Sequence, residues 1–272
     1  MNIKLKLLAV IGLLAGTTHA QTLIDRYQLN GNANDSVGAN NGTLSGDATF
    51  VGGGINGGDA LSVNNTSGNG WVNLGTFFSP SPSSSFSFVA WINTSQTTGA
   101  SVVGNNQAGV DNGFILGVNN IDPYATGWGQ PGQAVFEASQ HPNGGDTPAT
   151  STTTVNNGSW HQIVGIYQAS GLNEIAVDGA IEGSVPSVSY ANPNNYLVIG
   201  GGDNNPNNPD GSFTGLVDDV QIYNGALSAA QIQYLDSNPG QTLVSSVPDG
   251  GMTICLLGLS LTALANLRRR VA

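Results

Sequence analysis

Between Leu23 and Tyr223 the chain is a succession of short runs of apolar alternation, each cut off by glycine, asparagine or proline. Such runs occupy 23–29, 60–63, 70–74, 86–93, 100–104, 113–118, 134–138, 161–167, 173–177, 196–200 and 213–223. Residues at period two point to alternate faces of a strand, and many short strands with turn signals between them fit a sandwich or jelly roll. No long amphipathic helix competes. The clearest local element is "NEIAVDGAIEG", in which Asp178-Gly179 separates two alternating runs. These two residues accept the positive φ angles that a two-residue hairpin turn demands, so a hairpin is expected there. Ser228 and Gln231 have capping-box spacing, which predicts a short helix over 229–235 after the last strand. The domain is therefore expected to occupy 21–238, with 239–246 as a linker.

Charge narrows the partners. The chain has 17 acids and six basic residues, but Lys4, Lys6, Arg268, Arg269 and Arg270 lie at its two ends. From Gln21 to Gly251 only Arg26 stands against all 17 acids, a formal charge of −16. A surface of that sign repels nucleic-acid phosphates and anionic headgroups, which argues against nucleic acid and leaves neutral glycans and divalent cations. The one cysteine, Cys255, falls in the tail, so the body is expected to have neither disulfides nor thiol chemistry.

Both ends read as targeting segments. Lys4 and Lys6 precede an apolar run from Leu7 to Ala15, and Thr18-His19-Ala20 provides small residues for a signal-peptidase cut before Gln21, giving a signal peptide over 1–20. At the other end, Met252 to Leu267 is 16 residues without charge, followed by three arginines. A helix of that length covers about 24 Å against a hydrocarbon core of roughly 30 Å, so it spans only marginally. The arginines place the carboxyl end in the cytoplasm and the body outside. A proline-containing motif, Val247-Pro248-Asp249-Gly250-Gly251, precedes this apolar helix and arginine cluster. The 247–272 tail resembles the PEP-CTERM class of bacterial sorting signals. The resemblance implies transient inner-membrane insertion, removal of the helix by an exosortase-type protease, and delivery to the cell surface or an extracellular polysaccharide matrix.

Four blocks in the body carry a second resemblance: "YQLNGNANDSVGANNGTL" at 27–44, "FSFVAWINT" at 86–94, "NNGSWHQIVGIYQASGLNEIAVDGAIEGS" at 156–184 and "GSFTGLVDDVQIYNGALSAAQI" at 211–232. Together they resemble the LamG-like jelly-roll domains of the concanavalin A-like lectin and glucanase superfamily. This implies an all-β sandwich of two antiparallel sheets. Glucanases of this fold set two carboxylates on one strand face, one to attack or activate water and the other to protonate the leaving oxygen. The glutamates here are Glu137, Glu174 and Glu182, none with a second acid at that spacing. The expected function is therefore a non-enzymatic binding module for glycan or extracellular matrix. A structural matrix protein and, less favoured, a divergent glycoside hydrolase are the alternatives.

Two sets of residues stand out as sites. In "GLVDDVQIY" strict alternation puts Leu216, Asp218, Val220 and Ile222 on one face, so Asp218 needs a partner among apolar neighbours. Asp35, in "NGNANDSVG", approaches it if the first and last strands are neighbours, as the resemblance implies, and some relatives bind a structural calcium ion. Asp35 and Asp218 are therefore the candidate metal ligands, in an oxygen-rich setting suited to calcium. The loop "GGDNNPNNPDG" at 201–211 lacks the EF-hand glycine and closing acid, and reads as a connection. Sugar rings need flat apolar surfaces framed by amides. Trp71, Trp91 and Trp160 lie in strand runs and read as core, whereas Tyr124 and Trp128, in "DPYATGWGQPGQ", sit among turn formers and are the candidate sugar platform.

Overall fold

A computed structural model describes residues 21–64, 70–106, 112–119, 130–140, 147–186, 190, 195–201 and 213–243. The signal and sorting segments, the Val247–Gly251 motif, the 201–211 loop beyond Gly201, and Tyr124 and Trp128 lie outside them. The described residues form fifteen strands and one helix: β1 Thr22–Tyr27, β2 Thr43–Ser45, β3 Thr49–Gly52, β4 Asp59–Val63, β5 Trp71–Gly75, β6 Phe86–Asn93, β7 Ala100–Gly104, β8 Asn112–Val118, β9 Gln133–Gln140, β10 Ala149–Thr154, β11 Trp160–Gln168, β12 Leu172–Val177, β13 Ala180–Pro186, β14 Leu197–Ile199, β15 Gly215–Asn224 and α1 Ala229–Ser237. They make two antiparallel sheets, the all-β sandwich that the alternation predicts. One runs β13-β12-β11-β6-β15-β4-β3 with β1 also paired to β15, and the other runs β10-β9-β8-β7-β14-β5-β2.

The core lies between the sheets. Phe88 of β6 and Phe114 of β8 stack across it with ring centroids 4.2 Å apart, and Phe78 meets both edge-on. Aromatic pairs at such geometry add to their area burial. Gly165 of β11 permits a close approach between the sheets: a Cβ there would stand 2.1 Å from the Phe136 ring of β9, which no shift of a flexible tip relieves. Asp178 and Gly179 adopt φ of 48° and 82°, as the β12–β13 hairpin turn requires.

The outer face of the larger sheet is covered as well. Ser228 caps α1 through the reciprocal bonds with Gln231, and Ile232 and Leu235 bury against Val89, Val164, Ile166 and Tyr223. The chain then turns at Gly240, where φ is 74°, and crosses the same face. Residues 239–243, which composition reads as linker, are thus held on the domain by hydrogen bonds to Arg26, Gln221 and Tyr223. The three indole side chains expected in the core are largely covered: Trp71 is 4 % and Trp91 8 % exposed, and the half-buried Trp160 donates from Nε1 to the Gly53 carbonyl at 3.2 Å.

Candidate functional site

Two polar regions emerge from this framework. The first forms where β1 and β15 pair, an adjacency the sequence reading anticipates. The turn after β1 folds back so that Asp35 bridges Tyr27. The Asp35 carboxylate accepts the backbone N–H groups of Arg26 and Val37, each at 3.0 Å, and of Asn40 at 3.2 Å. Its neighbour is Asp25, which is 2 % exposed and accepts from Asn40 Nδ2 at 2.6 Å. Burial pushes the Asp25 carboxyl up to about 6, reinforced by the adjacent Asp35. Burial also pushes Asp35 upward, but the backbone amides and the Asp25 carboxyl outweigh it and hold Asp35 near about 2. The two carboxyls thus differ widely in their affinity for a proton, as expected when like charges are forced together.

Asp218 belongs to a different pocket. Its pairing with Trp91 is followed by a register shift, and Asp219 takes φ of 45°, so a bulge interrupts the alternation of β15. Val217, Val220 and Ile222 face the core, while Asp218 lies on the outer face with Trp91, which corrects the expected grouping of Leu216, Asp218, Val220 and Ile222. Asp218 accepts from the Ile55 and Asp219 backbone N–H groups, both at 2.8 Å. Burial raises it to about 6 against those two bonds. Beside it Arg26 Nε meets Asp219 Oδ1 at 2.6 Å, and both side chains are nearly covered. A cavity of about 310 Å³ between Asn30, Asp59, Asp218 and Asp219 opens here.

Asp35 and Asp218 therefore share no hydrogen-bond partner, and the structure brings Asp35 to Asp25 instead. Among the described residues no group of three or more His, Cys, Asp or Glu side chains could hold a metal. Gly38 packs against the same oxygens: a Cβ there would stand 2.5 Å from Asp35 Oδ2, 2.9 Å from Asp25 Oδ1 and 3.2 Å from the Ile24 carbonyl, so a side chain at 38 is excluded and the three oxygens lie close together. Two carboxylates and a carbonyl are the donors a hard cation prefers. Asp25 was open to detection as an acid inside the apolar run "TLIDRY", where a buried carboxylate needs an explanation.

The second region is neutral. The ends of β4, β6 and β15 and the connection after β6 enclose an open groove of about 750 Å³. Asn64, Ser95, Thr97 and Thr98 are exposed along it, with Asn93 and Thr214 half-buried. The connection is held rigid from behind. Asn119 Nδ2 donates to the Gln96 and Thr98 carbonyls at 3.0 and 2.9 Å, Asn156 Nδ2 to the Gln96 carbonyl at 3.0 Å, and Gly158 N to the Thr94 carbonyl at 2.9 Å. Thr94 Oγ1 donates to the Thr214 carbonyl at 2.6 Å, and Thr214 N returns a bond to Gln96 Oε1 at 2.7 Å. The result is an array of amides and hydroxyls on an anchored backbone, with no charged side chain among the described residues that line it. Sequence reasoning missed it because 62–64, 93–98 and 214–216 meet only in three dimensions.

The glutamates serve other ends. Glu182 is pinned by the amides and hydroxyls of Thr152 and Thr153, and Glu174 accepts from Gln168. Burial pushes Glu182 upward, yet the Thr153 and Thr152 bonds outweigh it and keep it below the usual range. Glu137 is buried on β9, in the other sheet. His161 Nδ1 lies 2.7 Å from Asp178 and its Nε2 3.1 Å from Asn157 Oδ1, a structural tie from the start of β11 to the β12–β13 turn.

Two antiparallel sheets with loop-built rims define a lectin-type jelly roll. The family model Laminin_G_3, described as the concanavalin A-like lectin/glucanases superfamily, matches residues 65–233, and the chain belongs to that superfamily. Residues 246–271 match the VPDSG-CTERM motif, with Gly250 where that motif has serine. No curated protein sequence matches the chain. Among solved structures the chain is similar to domain 4 of AbnA, a GH43 extracellular arabinanase from Geobacillus stearothermophilus, in complex with arabinotriose. The two share 19 % identity at a TM-score of 0.53, over 80 % of this chain and all of that one. It is also similar to the botulinum neurotoxin serotype G binding domain, at 15 % identity and a TM-score of 0.56, over 79 % of this chain. The binding domain of Paraclostridial Mosquitocidal Protein 1 follows at 13 % identity and a TM-score of 0.54, again over 79 %. The chain spans about half the length of the last two.

Proposed function

We propose that this protein is an exported, non-enzymatic LamG-like module that binds neutral glycan, delivered to the bacterial surface or matrix by its C-terminal signal. The observation that carries the reading is the groove of about 750 Å³ lined by uncharged amides and hydroxyls. Its size falls in the range of small-molecule sites, and the backbone that carries its donors and acceptors is anchored before a ligand arrives. Tyr124 and Trp128 supply the aromatic surface in this reading. The sorting motif at 246–271 supports export and removal of the tail by an exosortase-type protease after signal peptidase has acted. The engagement of Glu174 and Glu182 in side-chain contacts favours binding over hydrolysis.

Calcium enters as a structural ion held by Asp25, Asp35 and the Ile24 carbonyl, where it would fix the turn after β1. Asp218, satisfied by two backbone amides, is not part of that set. A glycan array at several calcium concentrations tests the proposal. Saturable binding to neutral oligosaccharides, lost on Trp128→Ala or on Asn93→Ala with Thr98→Ala, is the expected result. Absence of binding to any glycan would favour a purely structural matrix role, and release of reducing sugar would show a hydrolase.

A further inference from the structure

Arg26 is the one cation between Gln21 and Gly251, and the fold spends it on the chain's exit. Its Nε holds Asp219, while Nη2 donates to the Gly240 carbonyl at 2.5 Å. Asp219 in turn accepts from Gln221 Nε2 at 2.7 Å, and the same amide donates to the Gln241 carbonyl at 2.9 Å. Tyr223 donates to Gln221 Oε1 and accepts from Leu243 N at 3.4 Å. Gly240, Gln241 and Leu243 are thus tied to a ladder of side chains from β1 and β15. The Asn56 side chain, from the β3–β4 turn, lies over Gly240, whose φ of 74° also favours glycine. The pieces act as a unit, because Asp219 orients both Arg26 and Gln221.

This strap leaves three residues, 244–246, between the pinned chain and the sorting motif at Val247. Four residue steps from Leu243 reach at most about 14 Å. The first residue of the motif therefore lies no farther than that from the point where the strap is pinned to the domain. Freed back to Ser237, the tether would have ten steps and reach about 35 Å. We propose that Arg26 is a positioning residue for C-terminal processing: by pinning the strap it holds the cleavage motif in the shadow of the folded domain and slows the cut. The inference rests on the reading of the tail as a processed signal.

The test follows conversion of the full-length chain to its shorter form in pulse-labelled cells, with intact mass to identify the ends. Two variants are compared with the wild type. Arg26→Met with Asp219→Leu removes both charges, so that neither is left buried alone. A Gly-Ser spacer of about eight residues between Val244 and Ser245 lengthens the tether and leaves the clamp untouched. Both should speed conversion on the order of tenfold, since a tether too short to span allows little engagement. Only the first should raise amide exchange at 240–243. Unchanged or slower conversion in both variants overturns the proposal, as does unchanged exchange at 240–243 in the charge-free variant. A wild-type chain that keeps its tail overturns the processing reading as well, and the mass shows that directly.

Discussion

The two polar regions use the same inventory of side chains to opposite ends. Around β1 and the β15 bulge, Asp25, Asp35, Asp218 and Asp219 are covered or half-covered, and the amides and single guanidinium nearby are consumed in satisfying them. At the groove, bonds from Asn119, Asn156 and Gly158 end on backbone carbonyls, and the exposed side chains of Ser95, Thr97 and Thr98 line open space. Charge is spent on holding the fold, and neutral polarity is presented to solvent. Buried charges are costly to disturb, whereas an exposed hydroxyl costs little to remove and loses only what it would bind.

The largest effect separating the regions should come from Arg26→Met, which leaves Asp219 buried and unpaired. A loss of about 3–5 kcal/mol in urea denaturation is expected, with most of it regained when Asp219→Leu is added. If the single substitution costs no more than a surface change, the acidic region is not structural.

Next comes pH. Asp25 and Asp218 have folded-state values of about 6, above the ordinary carboxylate value of 3.8. For a raised carboxyl the stabilising form is the protonated one, so its contribution is complete below the unfolded value and is lost as pH rises through about 6. Without calcium, stability should therefore increase as pH falls from 7 to 5, by about 2 kcal/mol for each group at most. Below pH 4 the trend reverses, because Asp35, held near about 2, and Glu182, also lowered, must be protonated at the expense of their amide bonds. Asp25→Asn should remove about half of the rise. A flat profile from pH 7 to 5 would show the carboxyls to be less enclosed than the structure has them.

Calcium sharpens the same contrast. At pH 7 a saturating excess of about one hundred times Kd should stabilise the protein by about 2.7 kcal/mol. The gain should shrink at pH 5, where a proton on Asp25 competes, and vanish in Asp35→Asn. The smallest effect on stability belongs to the groove: Thr98→Ala and Asn93→Ala should each change unfolding free energy by less than about 0.5 kcal/mol. Larger losses would make that region structural too.

Much of the sandwich is legible from period-two alternation and glycine punctuation. The runs at 86–93 and 100–104 coincide with β6 and β7 end to end, and the Asp178-Gly179 turn and Ser228 cap appear where local chemistry demands them. The strands β2, β3 and β10 escape notice because "TLS" and "TFVG" are too short to show a period and "ATSTTT" lacks apolar contrast. The sites are less legible. A bulge costs one residue of phase, and nothing in "LVDDVQ" announces that Asp219 will adopt φ of 45°. That lost phase moves Asp218 to the outer face. Arg26 is conspicuous in composition, yet its partners Asp219 and Gly240 are 193 and 214 residues away.

The central claim is that the uncharged groove, and not the acidic region, receives the ligand. Isothermal titration of neutral oligosaccharides into the mature domain and into Asn93→Ala/Thr98→Ala, each with its melting temperature recorded, tests it directly. Saturable binding by the wild type and its loss in a variant that melts at the same temperature is the predicted result. Equal affinity in the two proteins would contradict it.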